Sequence, residues 1–194
     1  MSVRLAKEED LPQILSIYAP YVTDTTHTLE YTVPSLEEFT RRYHTITAQF
    51  PWLVWEEAGK ILGYAYGSLP FERAGYRWCA EASVYLRPEA TRRGIGTRLY
   101  AALEEILRRQ GYKSVYVIIT GANETSLAFH EAVGYRHTAR FPLCAYKFDT
   151  WVDVIWMEKP LSSMETPMNF PCPAKNIVKN TRNLCDILDN LSLS

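Results

Sequence analysis

Apolar positions along most of this chain recur with one of two periods, and the changes of period mark out its elements. Val3 to Ala6 alternates and predicts a first strand. Asp10 is placed to cap a helix running to about Tyr21, with Leu11, Ile14, Leu15 and Tyr18 on one face. Thr23 to Val33 is polar and turn-rich, a loop. Ser35 and Glu38 have capping-box spacing and predict a second helix to about His44. Trp52 to Glu56 and Ile61 to Ser68, joined by Glu57-Ala58-Gly59-Lys60, read as a hairpin. A loop with Pro70 and Gly75 leads to a strand from Cys79 to Leu86, ended by Pro88. Leu99, Leu103, Ile106 and Leu107 give the apolar stripe of a helix from about Gly96 to Gln110, stopped by Gly111. Ser114 to Thr120 reads as a buried strand, Thr125 to Val133 as a short helix, and Tyr135 to Phe141 and Trp151 to Glu158 as two last strands. The order implies one α/β domain with a mixed sheet over residues 1–161. From Leu161 the composition shifts to Ser and Pro, so residues 162–194 are expected to be a loosely attached tail, flexible or with one short helix between Asn176 and Leu191, and dispensable for turnover.

Composition narrows the function classes. With 47% hydrophobic and 22% charged residues and a net charge of -1, the chain has the balance of a soluble globular protein. That balance argues against nucleic acid or an anionic membrane as partner. No apolar run approaches the ~18 residues of a membrane span. Met1-Ser2-Val3-Arg4 runs into Lys7-Glu8-Glu9-Asp10 without the features of a secretory signal, so a cytoplasmic location is expected. The four cysteines are dispersed with no Cys-x-x-Cys pair, so neither a metal site nor a disulfide framework is expected.

The main chemical signal is Arg92-Arg93-Gly94-Ile95-Gly96-Thr97, between a strand and a helix. Glycines let the backbone approach a ligand, free N–H groups at a helix start attract anions, and the arginines add charge. A pyrophosphate suits such a loop; so does the plainer reading of a Gly-containing turn with surface arginines. It lacks the P-loop pattern and the third glycine of a dinucleotide fingerprint.

In context, Thr91 to Gly96 resembles the central motif of the GNAT acetyltransferase superfamily, with Thr91 where the family usually has Gln or Arg. Several segments resemble its phosphinothricin and methionine sulfoximine acetyltransferase branch. They are Ala80-Glu81-Ala82-Ser83-Val84-Tyr85-Leu86, Ser126 to Tyr135, Tyr146-Lys147 with Trp151-Val152-Asp153-Val154, and Thr28-Leu29-Glu30-Tyr31 with Pro34-Ser35. The resemblance spans about four fifths of the chain, from the first strand to Pro160, the size of one domain. It implies a mixed, mostly antiparallel seven-stranded sheet flanked by about four helices, acetyl-CoA as co-substrate, and direct acetyl transfer in a ternary complex to a small amino-acid-like amine bearing acid groups. A homodimer is a common state in the family.

The resemblance also implies roles. Glu81 becomes the base that deprotonates the amine, although on its own it reads equally as an exposed strand charge. His130 becomes a second proton-transfer group, against the plainer reading of a hydrogen-bonded helix histidine. The backbone of Val84 and Leu86, with Tyr85 between them, is expected to pair with the cofactor arm. Arg92, Arg93, Gly94, Ile95, Gly96 and Thr97 hold its diphosphate. Asn123 and Ser126 flank it, with Asn123 also suited to an N-cap. Arg73 is expected on the substrate acid group, and Tyr31 and Tyr76 at the pocket wall. His27, His44 and His137 carry no comparable context. Two other functions fit the same sequence: acetylation of a protein N-terminus or lysine, and a non-catalytic acyl-CoA sensor.

Overall fold

The computed structural model describes residues 2–166 and 169–179. Its strands are β1 (Ser2–Leu5), β2 (Trp52–Glu57), β3 (Lys60–Ser68), β4 (Cys79–Leu86), β5 (Ser114–Thr120), β6 (Arg136–Lys147) and β7 (Thr150–Pro160). Its helices are α1 (Leu11–Asp24), α2 (Leu36–Thr47), α3 (Ile95–Gln110) and α4 (Glu124–Ala132). The strands form one sheet in the order β1-β2-β3-β4-β5-β7-β6. Every pairing is antiparallel except β4 with β5.

Alternation along the strands supplies two cores. On β2, Leu53 and Trp55 face one side and Trp52 and Val54 the other. The first side packs on the Leu99, Leu103, Ile106 and Leu107 stripe of α3, joined by Phe129 and Val133 at α4. The second packs on Ile14, Ile17, Tyr18 and Val22 of α1 and Phe39 of α2. The small Ala80 and Ala82 of β4 let α3 lie close to the sheet.

The helix signals act as read, with two exceptions. Ser35 accepts the Glu38 N–H, but the Glu38 carboxylate turns to Arg41 and Arg42 rather than completing the box. Asp10 is no cap for α1; it is buried, accepting from the Arg4 guanidinium and from the Lys7 N–H, so it ties β1 to the helix start. β6 runs six residues beyond the expected end at Phe141. Pro142 does not end it, because β6 is the sheet edge, where a missing donor is tolerated. The register shift between Phe141 and Ala145 is held by Asp153, which accepts from Leu143 N–H and pairs with Arg140.

At the end of that strand Lys147 is only 1% exposed. Its ammonium donates to the carbonyls of Val22 and Thr28, at 2.8 Å each. A cation at the last turn of α1 suits the negative end of the helix dipole. The same side chain thereby fixes the loop after α1 against the sheet.

The tail differs from its expected loose attachment where it is described. Cys172 N–H donates to Gln110 O, and Ala174 N–H to Gln49 O. The Gln49 and Gln110 side-chain amides return bonds to the carbonyls of Pro171 and Cys172. Ala174 and Val178 join the core, and Phe170 stacks on Trp78 at 5.1 Å. A single 3-10 turn covers Ala174–Asn176; the rest of the expected tail helix lies outside the described residues. Loose attachment was inferred from Ser and Pro content, but proline-rich chain also docks in extended form when its carbonyls find donors.

Truncation after Leu161 removes Ala174 and Val178 from the core and takes away the tail carbonyls that Gln49 and Gln110 donate to, a loss of about 2–4 kcal/mol. A fall in Tm of at least about 5 °C by calorimetry is the expected result; an unchanged midpoint contradicts this view of the tail.

Candidate active site

β4 and β5 are joined by only three residue pairs, Cys79–Ser114, Ala80–Val115 and Glu81–Tyr116. Beyond Glu81 they part, while β4 stays paired to β3 up to Leu86. The gap opens a slot through the sheet. Ala82, Val84 and Tyr100 line it on the α3 side, Asn123, Ser126 and His130 at α4, and Tyr21 and His27 at the α1 end. It meets a second cavity of about 440 Å³ on the α1 face, walled by Tyr18, Thr28, Glu30, Tyr66, Glu81 and Thr120. His27, Ser83, Tyr85 and Ile118 line both.

The start of α3 is built for an anion. Gly94 has φ 74 and provides no side-chain cap. The first intrahelical bond runs from Arg98 N–H to Gly94 O, so the N–H groups of Ile95, Gly96 and Thr97 have no acceptor within the helix. Gly94 takes this left-handed turn without strain, and an added Cβ there would meet nothing within 4 Å. Gly96 has another use: its Cβ would sit 3.4 Å from the Phe129 ring, so it admits α4 against α3. Arg93 is engaged with Glu57 at 2.9 Å, whereas Arg92 is exposed and makes no ion pair among the described residues. Thr91, at the variant position, spends its hydroxyl on Pro88 O.

Along β4, backbone groups alternate in direction. Those of Leu86 point away from β3, and both are met by the Tyr21 hydroxyl, which donates to Leu86 O at 2.7 Å and accepts from its N–H at 3.4 Å. Leu86 is therefore not open for pairing as expected, because Tyr21 occupies it. Val84, two residues earlier, points its N–H and C=O the same way, into the gap where β5 has departed. Asn123 caps α4, its side chain accepting from Ser126 N–H at 3.1 Å, and still lines the slot.

Glu81 is the last paired residue of β4 before the gap. Among the described residues it has no hydrogen-bond or ion-pair partner, and burial alone pushes its carboxyl up to about 7. His130 is placed quite differently from a titrating group. It is 3% exposed, with Nδ1 2.7 Å from Ser126 O and Nε2 2.9 Å from the Tyr100 hydroxyl. The neutral imidazole satisfies both: Nδ1–H donates to the carbonyl and Nε2 accepts from Tyr100. Burial pushes its pKa down to about 4, against the ordinary value assumed from sequence, so it is neutral at pH 7.

The expected substrate side chains are not gathered here. Tyr31 is exposed and donates to Tyr146 O. Tyr76 packs on Phe71, whose ring stacks on Trp156, and Arg73 is exposed in the same loop. None of the three lines either cavity. Instead Tyr18, Thr28, Glu30 and Tyr66 form the wall. Tyr21 and His27 line the slot as well; their place at and just beyond the end of the first helix does not say what they face.

The chain matches the acetyltransferase (GNAT) domain model over residues 3–156. It belongs to the GNAT acetyltransferase family. It is 34% identical to the phosphinothricin N-acetyltransferase of Alcaligenes faecalis over 171 residues, 86% of each chain. It is 36% identical to the L-methionine sulfoximine/L-methionine sulfone acetyltransferase of Pseudomonas aeruginosa, covering 81% of this chain and 92% of that one. The crystal structure of a phosphinothricin acetyltransferase from Sinorhizobium meliloti in complex with acetyl-CoA superimposes with a TM-score of 0.84 at 33% identity, covering 89% of this chain and 96% of that one. This GNAT chain is thus an acetyl-CoA-dependent acyltransferase, and the free amides of α3 and the split between β4 and β5 fit that co-substrate.

Burial of Glu81 makes a stability prediction with a definite sign. Its folded pKa lies above the ordinary value of 4.5, so the contribution is fully present below that value and is lost as pH rises through about 7. Glu81→Gln lacks this loss. Its Tm relative to wild type is expected to rise between pH ~5 and pH ~8; a pH-independent difference would show Glu81 to be solvated.

Proposed function

We propose that this enzyme acetylates the amine of a small amino-acid-like substrate of the phosphinothricin or methionine sulfoximine type, by direct attack in a ternary complex. The observation that carries this reading is the slot at the β4/β5 gap, which shares His27, Ser83, Tyr85 and Ile118 with the cavity that holds a desolvated Glu81. Bound acetyl-CoA supplies the activated acyl carbon. The N–H groups of Ile95, Gly96 and Thr97 hold its diphosphate, with Arg92 free to add charge. Val84 pairs with its arm as an added strand would. Glu81 takes a proton from the substrate ammonium, since a carboxyl near neutrality is both ionised enough to accept and basic enough to drive the transfer. His130, locked between Ser126 and Tyr100, acts as a positioning residue that sets the slot wall.

The amine cavity has Glu30 and Glu81 in its wall and no lysine or arginine. A substrate acid group is therefore met at the mouth, and Arg73, exposed on the loop before β4, is the guanidinium we assign to it. The outer hairpin exposes Phe141, Leu143, Phe148 and Trp151 on and beside the edge strand. An apolar edge of this kind is normally covered, which supports a homodimer joined there. Cys79, Cys144 and Cys172 are free, in keeping with a reducing cytoplasm where acetyl-CoA is available. Among the described residues no helix is long and apolar enough to cross a membrane.

Thiol release from acetyl-CoA with a panel of amino-acid amines tests the activity. kcat/KM is expected to climb with pH and level off above about 7, following the Glu81 carboxylate. Glu81→Gln should lower it by about 10²–10³-fold and abolish the inflection. Peptide amines outcompeting amino acids would instead indicate a protein acetyltransferase. For the mouth, Arg73→Gln should raise KM about tenfold for an amino acid but leave its carboxamide unaffected; equal effects on both would remove Arg73 from recognition. Trp151→Asp should convert a dimer to a monomer in sedimentation, and a monomeric wild type would dismiss the hairpin contact.

A further inference from the structure

The slot and the amine cavity meet at four side chains, His27, Ser83, Tyr85 and Ile118. Only His27 among them exchanges a proton readily near neutrality, since burial holds the Tyr85 hydroxyl well above its ordinary range. Glu81 lines the amine cavity but not the slot, and His130 the slot but not the cavity. His27 thus stands where nitrogen, acyl carbon and sulfur would have to come together.

Its ring is also uncommitted. The one hydrogen bond His27 makes among the described residues uses its backbone N–H, to Thr25 Oγ1. This contrasts with His130, whose two ring nitrogens are both taken. The loop that carries His27 is nonetheless fixed: Lys147 holds Thr28 O at 2.8 Å, and the Tyr18 and Thr28 hydroxyls are 2.8 Å apart. The Tyr21 ring lies 6.1 Å from the imidazole. Burial, and then the charge of Lys147, lower the pKa of His27, so at neutral pH it is a proton acceptor.

Resting on the acetyl-transfer reading above, we propose that His27 is a catalytic residue that carries a proton from the attacking nitrogen to the departing sulfur. The substrate ammonium first gives one proton to the Glu81 carboxylate. The neutral nitrogen then forms its bond to the acyl carbon while the carbon–sulfur bond breaks and its electron pair stays on sulfur. The second nitrogen proton passes to a free ring nitrogen of His27, and the imidazolium returns it to the thiolate. Glu81 releases its proton to water. The products are the amide, the free thiol and one proton in solution, with His27 and Glu81 restored.

The test compares wild type, His27→Ala and His27→Gln in steady-state thiol release, with and without added imidazole. His27→Ala should lose about 100-fold in kcat, the low end for a positioned proton acceptor, with KM for acetyl-CoA held within about twofold. Because the site opens to solvent, imidazole should restore much of the loss in His27→Ala. His27→Gln keeps the bulk but carries no proton, so it should stay slow and should not respond. A merely structural histidine predicts the reverse: glutamine better tolerated than alanine, and no rescue. Wild-type-like turnover by His27→Ala, or failure of imidazole to restore it, overturns the proposal and leaves the acetyltransferase reading standing. Absence of turnover by wild type with every amine overturns both.

Discussion

Everything in the site depends on where the hydrogen bonding between β4 and β5 stops. Three pairs join the two strands, and the fourth is missing because they diverge after Glu81 and Tyr116. A parallel pair that kept going would seal the sheet, satisfy Val84 and close the slot. Because it does not, main-chain groups of β4 are left facing a channel rather than a neighbour, and unpaired main-chain groups in such a place call for a ligand. The same divergence leaves the slot walled by Tyr100 of α3 on one side and opening on the other toward the cavity that holds Glu81.

Burial then sorts the ionisable groups by what they can do. It acts on Glu81 and His130 alike, always against the charged form, and so moves them in opposite directions. The carboxyl arrives near neutrality with no hydrogen-bond partner among the described residues. The imidazole arrives far below it, with both nitrogens occupied. A group that has its partners is held still, and one that lacks them is available for chemistry.

The sequence made most of the elements legible, because their signals are local: the α3 stripe, the Ser35 cap, the Gly111 stop and the alternation in β2. The Gly94 turn and Glu81 were legible through a family motif. What escaped was set by tertiary neighbours. Nothing near Leu86 in sequence announces that Tyr21 will take its backbone groups. Nothing near His130 announces Tyr100, thirty residues earlier, as its partner. Residue type and loop position point to Tyr76, but whether a side chain reaches a cavity depends on the path of the loop. Composition speaks for a loose tail, while its attachment draws on Gln49 and Gln110, two uncharged side chains with no pattern of their own.

On the acetyl-transfer reading, the diphosphate seat at α3 is made almost wholly of main-chain amides, whereas the amine cavity is walled by side chains. Amides are supplied by any residue that keeps the helix turn, so substitutions there are largely silent for donor affinity as long as Gly94 and Gly96 persist. Each substitution in the Tyr18, Glu30 and Tyr66 wall changes what fits. Descendants of this chain are therefore free to drift toward new acceptors while the donor stays the same, and the two affinities can diverge independently.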